Sequence, residues 1–360
     1  MGSQIANNAR PTYTILHADG LYPDDNLEQE ILRSKDQSYT VNYHQGHLSP
    51  AGVPTYKPWS TIDKSLRDKV DGISILKPDF TAADLELFPN LKLLVRMGVG
   101  YDKVDRIALD KRGVVLCNIP DYGTGEIADH AMALALSLRR GVIHHHDIQR
   151  GNPPAAWSPI DTPLISRIQN ATFGILGLGL IGTAVALRAK AFGWKVLAYD
   201  PFAPNGIDKA LGIDRTRDIN ELFRRSSTIS VHCPATPKTI NLVNYQLLSL
   251  MPRGGLLINT ARGEVVNLDD VERCLRENIL GGVGLDVVPD EPISAEGPIH
   301  SLLQAYRNHE PWLVGRMVVT PHSAYQSPES LLDIRIKAAE VMRDNLIDKL
   351  NVNIISLRKV

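Results

Sequence analysis

The stretch that most constrains this chain runs from Phe173 to Gly182, FGILGLGLIG, where an apolar run breaks into spaced glycines and continues as Thr183–Lys190. The order is strand, glycine turn, helix. Gly177 permits the tight turn, Gly179 lets the backbone approach a pyrophosphate, and Gly182 lets helix and strand pack closely. The first amides of the helix, around Leu180 and Ile181, then face an anion. Any tight strand-to-helix turn can carry glycines, so the flanking sequence has to decide. A second strand, Trp194–Tyr199, ends at Asp200, near the acidic position that receives an adenosine ribose diol about 20 residues beyond the glycines. A carboxylate there repels a 2′-phosphate, and no arginine follows it directly in Pro201–Pro204. The expected cofactor is therefore NAD rather than NADP.

A chain of 360 residues is long enough for two domains, each with ample apolar content for a core. A net charge of −1, with acids and bases interspersed, gives no electrostatic footprint for nucleic acid or an anionic membrane. Small-molecule partners are expected instead. Cys117, Cys233 and Cys274 are odd in number and widely separated, which suits a reducing compartment better than a disulfide framework or zinc site. The first residues lack an apolar signal core, Ala6 breaks the myristoylation pattern, and the longest apolar stretch, 173–187, is short and glycine-interrupted. The expectation is a cytoplasmic protein without membrane or direct nucleic-acid contact.

Along the chain, β-α alternation begins with Tyr13–Ala18 as a strand and Asp25–Ser34 as a helix. Proline-rich Leu48–Ser60 predicts a surface loop, because Val70–Leu76 resumes a strand. Thr81 is placed to cap a helix over Ala82–Phe88, Leu91–Arg96 predicts a buried strand, Asp102–Lys111 a helix closed by Gly113, and Val114–Cys117 another strand. Gly125–Arg140 predicts a long helix with His144, His145 and His146 near its end. Successive helical residues diverge by about 100° and cannot converge on one metal, so no metal site is expected. Prolines between Asn152 and Pro163 separate this helix from the glycine turn. Alternation then continues through Ile219–Arg225, Thr228–Cys233, Tyr245–Met251, Gly255–Asn259, Asn267–Asn278 and Val283–Val287. The final helix, Ser327–Leu350, is long enough to return to the first domain, which is expected to be discontinuous: 1–119 with 326–360, around a dinucleotide-binding domain at 120–325. The expected fold class is α/β, with two doubly wound parallel sheets.

In an open parallel sheet, ligands bind beyond the carboxyl ends of strands. The polar residues there are few. Ile258 is followed by Asn259-Thr-Ala-Arg-Gly263, Leu285 by Asp286 and then Glu291-Pro292, and Val318-Val-Thr320 by Pro321-His322. Taken singly, Arg262 suits a surface ion pair, Glu291 a loop acid and His322 a core histidine. Gathered at one sheet edge, they suit proton transfer at a carboxylate substrate.

Gly177-Leu-Gly-Leu-Ile-Gly182, Asn259-Thr-Ala-Arg-Gly263, Gly284-Leu-Asp-Val287 with Glu291-Pro292, and Thr320-Pro-His322 occur in order. In this the chain resembles the D-isomer-specific 2-hydroxyacid dehydrogenase family, from about Val70 onward. Ala186–Gly193 and Tyr199–Phe202 are most similar to its C-terminal binding protein branch. Tyr325 stands where animal members of that branch have tryptophan, and Gly297–Arg316 is longer than in them.

The resemblance implies a Rossmann dinucleotide-binding domain inserted in a flavodoxin-like substrate domain, and interconversion of a 2-keto acid and a D-2-hydroxy acid with NAD(H). His322 becomes the general acid and base, Glu291 its partner, and Arg262 the clamp for substrate carboxylate and carbonyl. These roles agree with chemistry: a neighbouring carboxylate stabilises imidazolium, and arginine offers a planar, permanently charged fork. By similarity, Arg96 and the amides around Val99 and Gly100 complete the carboxylate pocket, with Lys77 a further candidate. Cys233, Pro234 and Thr239 line the cofactor, as do Thr260 and Ala261. Asp286 lies near the nicotinamide amide, and Ser323, Ala324 and Tyr325 beside the reacting centre. The partners expected are a small 2-keto or 2-hydroxy acid and a second copy of the chain in a homodimer. The rival reading is an NADH-sensing corepressor or scaffold with weak dehydrogenase activity, which would place the protein in the nucleus. Fold alone does not separate the two.

Overall fold

The computed structural model describes residues 10–20, 22, 24–49, 56–159, 162, 164–291 and 299–356. The N-terminal segment with Ala6, residues 50–55 of the proline-rich loop, Pro163, Pro292 and Gly297 lie outside these. The chain divides into two compact units, Met1–Tyr122 with Pro328–Val360, and Gly123–Ser327.

In the first unit the strands are β1 (Thr12–His17), β2 (Thr40–Gln45), β3 (Gly72–Ile75), β4 (Leu93–Arg96) and β5 (Val115–Asn118), in the sheet order β2-β1-β3-β4-β5. All pairings are parallel. This is the flavodoxin-like order, whose switch point lies between β1 and β3. The strands β3 and β4 are almost wholly buried runs, as a sheet covered on both faces requires. The Thr81–Asp84 capping box starts the helix Ala82–Leu85, and Gly113, left-handed at φ +75°, ends the helix Arg106–Arg112. That helix starts at Asp105, whose side chain accepts from the Ala108 amide, and not at Asp102 as the sequence predicts. The long helix Pro328–Leu346 packs in this unit, its Arg335 forming a two-pronged pair with the buried Glu28 at 2.7 Å on each oxygen.

The second unit holds β6 (Thr172–Leu176), β7 (Lys195–Tyr199), β8 (Asp214–Thr216), β9 (Thr228–Val231), β10 (Gly255–Asn259), β11 (Leu280–Leu285) and β12 (Met317–Val319). Its sheet runs β12-β11-β10-β9-β6-β7-β8, again with every pairing parallel. Renumbered within the unit, this is the Rossmann order extended by one strand, with its switch point between β6 and β9. The helix Thr124–Arg139 lays Ala128, Ala131, Leu134, Ala135 and Leu138 on the core beside β10. Its last residue, Arg139, is 4 % exposed and donates to the carbonyls of Leu164 and Ser227, with its hydroxyl contacts at Ser166 and Thr228. Burial lowers its pKa to about 10, still high enough to keep the guanidinium charged. The histidine run does not end this helix: Gly141, at φ +61°, breaks the chain into a separate helix, Val142–Gln149. His144 there packs against Gly315, where an added Cβ would lie 2.4 Å from its ring.

Candidate active site

The glycine turn is built as close packing demands. Gly177 has φ +97°, and a Cβ on it would meet the Cys233 amide nitrogen at 2.8 Å; one on Gly182 would lie 2.1 Å from the Gly177 carbonyl oxygen. Gly179 instead faces open space. The turn is thus a cradle walled by the His232–Cys233 backbone, and the helix Leu180–Ala191 begins at it, so its first-turn amides lack intrahelical acceptors. Asp200, at the end of β7, accepts from the Leu178 amide at 2.8 Å and from the Phe202 amide at 2.7 Å. It ties the glycine turn to the neighbouring strand while its oxygens keep room for a further donor. Arg215 holds the same loop through the carbonyls of Asp200, Ala203 and Pro204. A dinucleotide's pyrophosphate and ribose fit these groups.

Past β9, burial pushes the Cys233 thiol up to about 12, which makes it a neutral wall rather than a nucleophile. Desolvation lowers the pKa of its neighbour His232 to about 3, so this imidazole, bonded to Ser230 at 2.8 Å, carries no charge at working pH. From sequence alone His232 falls within the strand expected over Thr228–Cys233, whereas β9 ends at Val231 and His232 lies just beyond it. Thr239 closes the following loop on itself, donating to the Pro234 carbonyl at 2.6 Å and accepting from the Thr236 amide. Thr260 is 8 % exposed at the end of β10, beside Ala261.

The chemistry gathers at the ends of β10, β11 and β12. His322 Nδ1 lies 2.5 Å from Glu291 Oε2, while Glu291 Oε1 accepts from the Val288 amide at 2.8 Å. The carboxylate is therefore held at both oxygens, and the Nδ1 contact turns Nε2 of the imidazole away from it. Arg262 donates from Nη1 to the Ala261 carbonyl at 2.7 Å. The buried Asn259 accepts from the Ala261 amide and donates to the Arg262 carbonyl at 2.8 Å, which fixes the loop between them. Gly263 brings this loop to the glutamate: a Cβ there would fall 1.9 Å from the Val288 carbonyl carbon. Only glycine allows the arginine arm and the glutamate arm to pack backbone against backbone. Tyr325 lies edge-on to His322, with ring centroids 6.3 Å apart, and its Cβ and backbone lie against Gly123.

Asp286, at the end of β11, is 2 % exposed. Oδ1 accepts from Thr320 Oγ1 at 2.6 Å and from the Ser323 amide at 2.9 Å, and Oδ2 from the Ala324 amide at 3.0 Å. It fastens the loop that carries His322.

In the first unit, Lys77 lies just past β3, Arg96 is the last residue of β4, and Val99 and Gly100 follow it. Arg96 folds back to donate to the Met97 carbonyl at 2.7 Å, filling the space that a Cβ on Gly98 would need. Gly98 leaves the room that the Arg96 guanidinium occupies. The buried Asn118 donates to the Val99 carbonyl at 2.8 Å, just before Gly100. Asp19, fully buried, takes the amides of Leu76 and Lys77 at 2.6 and 3.1 Å. Asp19 and Asn118 escaped the sequence reading because each reads only as a turn signal after a strand.

Residues 132–324 match the family described as D-isomer specific 2-hydroxyacid dehydrogenase, NAD binding domain. Over 276 residues the chain is 33% identical to a glyoxylate reductase of Korarchaeum cryptofilum, covering 76% of this chain and 78% of that protein. It is 32% identical over 277 residues to a glycerate dehydrogenase of Methylorubrum extorquens, covering 76% and 79%. The solved D-lactate dehydrogenase of Aquifex aeolicus, complexed with NAD and lactic acid, superposes with a TM-score of 0.75 at 28% identity, over 95% of this chain and 98% of that one. The sheet order, the glycine cradle and a family match over more than half the chain agree, and the protein belongs to the NAD-dependent D-isomer specific 2-hydroxyacid dehydrogenase family.

Proposed function

We propose that the protein reduces a small 2-keto acid to the D-2-hydroxy acid, with His322 as proton donor. The observation that carries this reading is the His322–Glu291 contact of 2.5 Å at the carboxyl edge of the sheet, with the Arg262 loop packed against the glutamate arm. Bound in the glycine cradle, NADH supplies the hydride that adds to the carbonyl carbon. Glu291 holds Nδ1 of the imidazole, which leaves Nε2 to deliver a proton to the carbonyl oxygen. Arg262 offers the charged fork for the substrate carboxylate and carbonyl. Tyr325, edge-on to His322, bounds the side-chain end of the substrate. The enzyme names of the relatives favour small acids such as glyoxylate and glycerate over bulky ones.

The test is a panel of small, branched, aromatic and thioether-bearing 2-keto acids with NADH, followed by chiral analysis of the product. Turnover of the small members to the D-isomer is expected. No NADH consumption with any member would reject the reading and favour an NADH-sensing scaffold of the C-terminal binding protein type.

A further inference from the structure

We propose that His130, acting through the Thr320 hydroxyl, is a positioning residue for His322. This rests on reading His322 as the proton donor. His130 lies on the helix Thr124–Arg139, which otherwise gives alanines and leucines to the core. Its Nε2 lies 2.9 Å from Thr320 Oγ1 and 3.7 Å from Asp286 Oδ1.

The direction of these bonds follows from donor counting. An ionised carboxylate only accepts, so the single Thr320 hydroxyl proton goes to Asp286 Oδ1, 2.6 Å away. The Thr320 oxygen is then left as an acceptor, and the contact with His130 requires a proton on Nε2. The chain of donation runs one way, from His130 through Thr320 to Asp286.

What hangs from its end is the catalytic loop. The Asp286 carbonyl accepts from the His322 amide at 2.8 Å, and its carboxylate accepts from the amides of Ser323 and Ala324. Three successive amides are thus anchored on one buried residue. The backbone they hold is unfavourable: His322 has φ +52°, a left-handed conformation that a non-glycine residue keeps only where its surroundings impose it. The His130 donor fixes the Thr320 hydroxyl, the hydroxyl fixes the Asp286 carboxylate, and that carboxylate fixes the loop that sets His322 against Glu291.

The test pairs His130→Leu with His130→Gln, whose amide nitrogen replaces the Nε2 donor, and Thr320→Val with Thr320→Ser, which keeps the hydroxyl. In the protein without NADH, the His322 ring resonances should move in His130→Leu and Thr320→Val toward those of Glu291→Gln, and return in His130→Gln and Thr320→Ser. In the reduction assay, the first pair should lose about tenfold or more in kcat, the order expected for a small misplacement of a reacting group. KM for NADH should change much less. The double variant His130→Leu/Thr320→Val should be no worse than Thr320→Val alone, because both cut one chain. Unmoved His322 resonances, equal loss in His130→Leu and His130→Gln, or additive losses in the double variant would overturn the proposal. A wild type that reduces no 2-keto acid yet shows the resonance pattern would sink the reduction reading and leave the relay standing.

Discussion

His322 is held twice, its ring by Glu291 at Nδ1 and its backbone amide by the Asp286 carbonyl. Glu291→Gln keeps a hydrogen-bonding side chain at Nδ1 but removes the charge. Reduction draws a proton from His322, and kcat should fall by about tenfold or more in the variant, with NADH affinity unchanged. Steady-state reduction and NADH titration check this, and an unchanged kcat would make Glu291 a positional partner only. His322, Glu291 and Arg262 were legible in the sequence because each follows a strand in a recognisable local pattern. His130 was not, since a polar residue in an alanine-rich helix has no local feature that points to a loop 190 residues away.

Among elements, the glycine contacts decide how closely the arms approach. Gly263→Ala must part the loop after β10 from the one after β11, because its new Cβ would fall 1.9 Å from Val288. We expect kcat to drop by about tenfold or more, as misplacement of the arginine predicts, with little change in NADH affinity. The converse is expected for Gly182→Ala, whose Cβ would press on the Gly177 carbonyl at 2.1 Å. Forcing the helix from the turn costs about 1–3 kcal/mol, and NADH binding by titration should weaken while any residual turnover keeps its substrate KM. If both variants lost NADH affinity equally, the two loops would not have the separate roles assigned to them. Strand legibility divides by burial. The buried runs β4, β6 and β10 are plain in the sequence, but β2 was missed because its residues alternate between exposed and half-buried, at the sheet edge. The short edge strand β8 was missed as well.

For the whole molecule, each sheet order follows from β-α alternation and right-handed crossovers, which leave few parallel arrangements. The fold class was therefore legible from the motif order, whereas the turn at Gly141 that splits the histidine run from the long helix needed the backbone. Cofactor choice belongs to this scale, since it is set by β7 beside the glycine turn. Asp200→Ala should weaken NADH more than NADPH, because the ribose diol loses an acceptor and a 2′-phosphate loses a repulsive neighbour. An unchanged preference in the ratio of dissociation constants would remove Asp200 from that role. The central claim is that proton delivery and cofactor binding are separate tasks of separate strand ends. The most direct measurement compares wild type and His322→Ala for NADH affinity and for the rate of 2-keto acid reduction in the same preparation. The predicted result is a rate lower by about 10²–10⁴ with NADH bound almost as tightly; a His322→Ala variant that reduces the acid at close to the wild-type rate would contradict it.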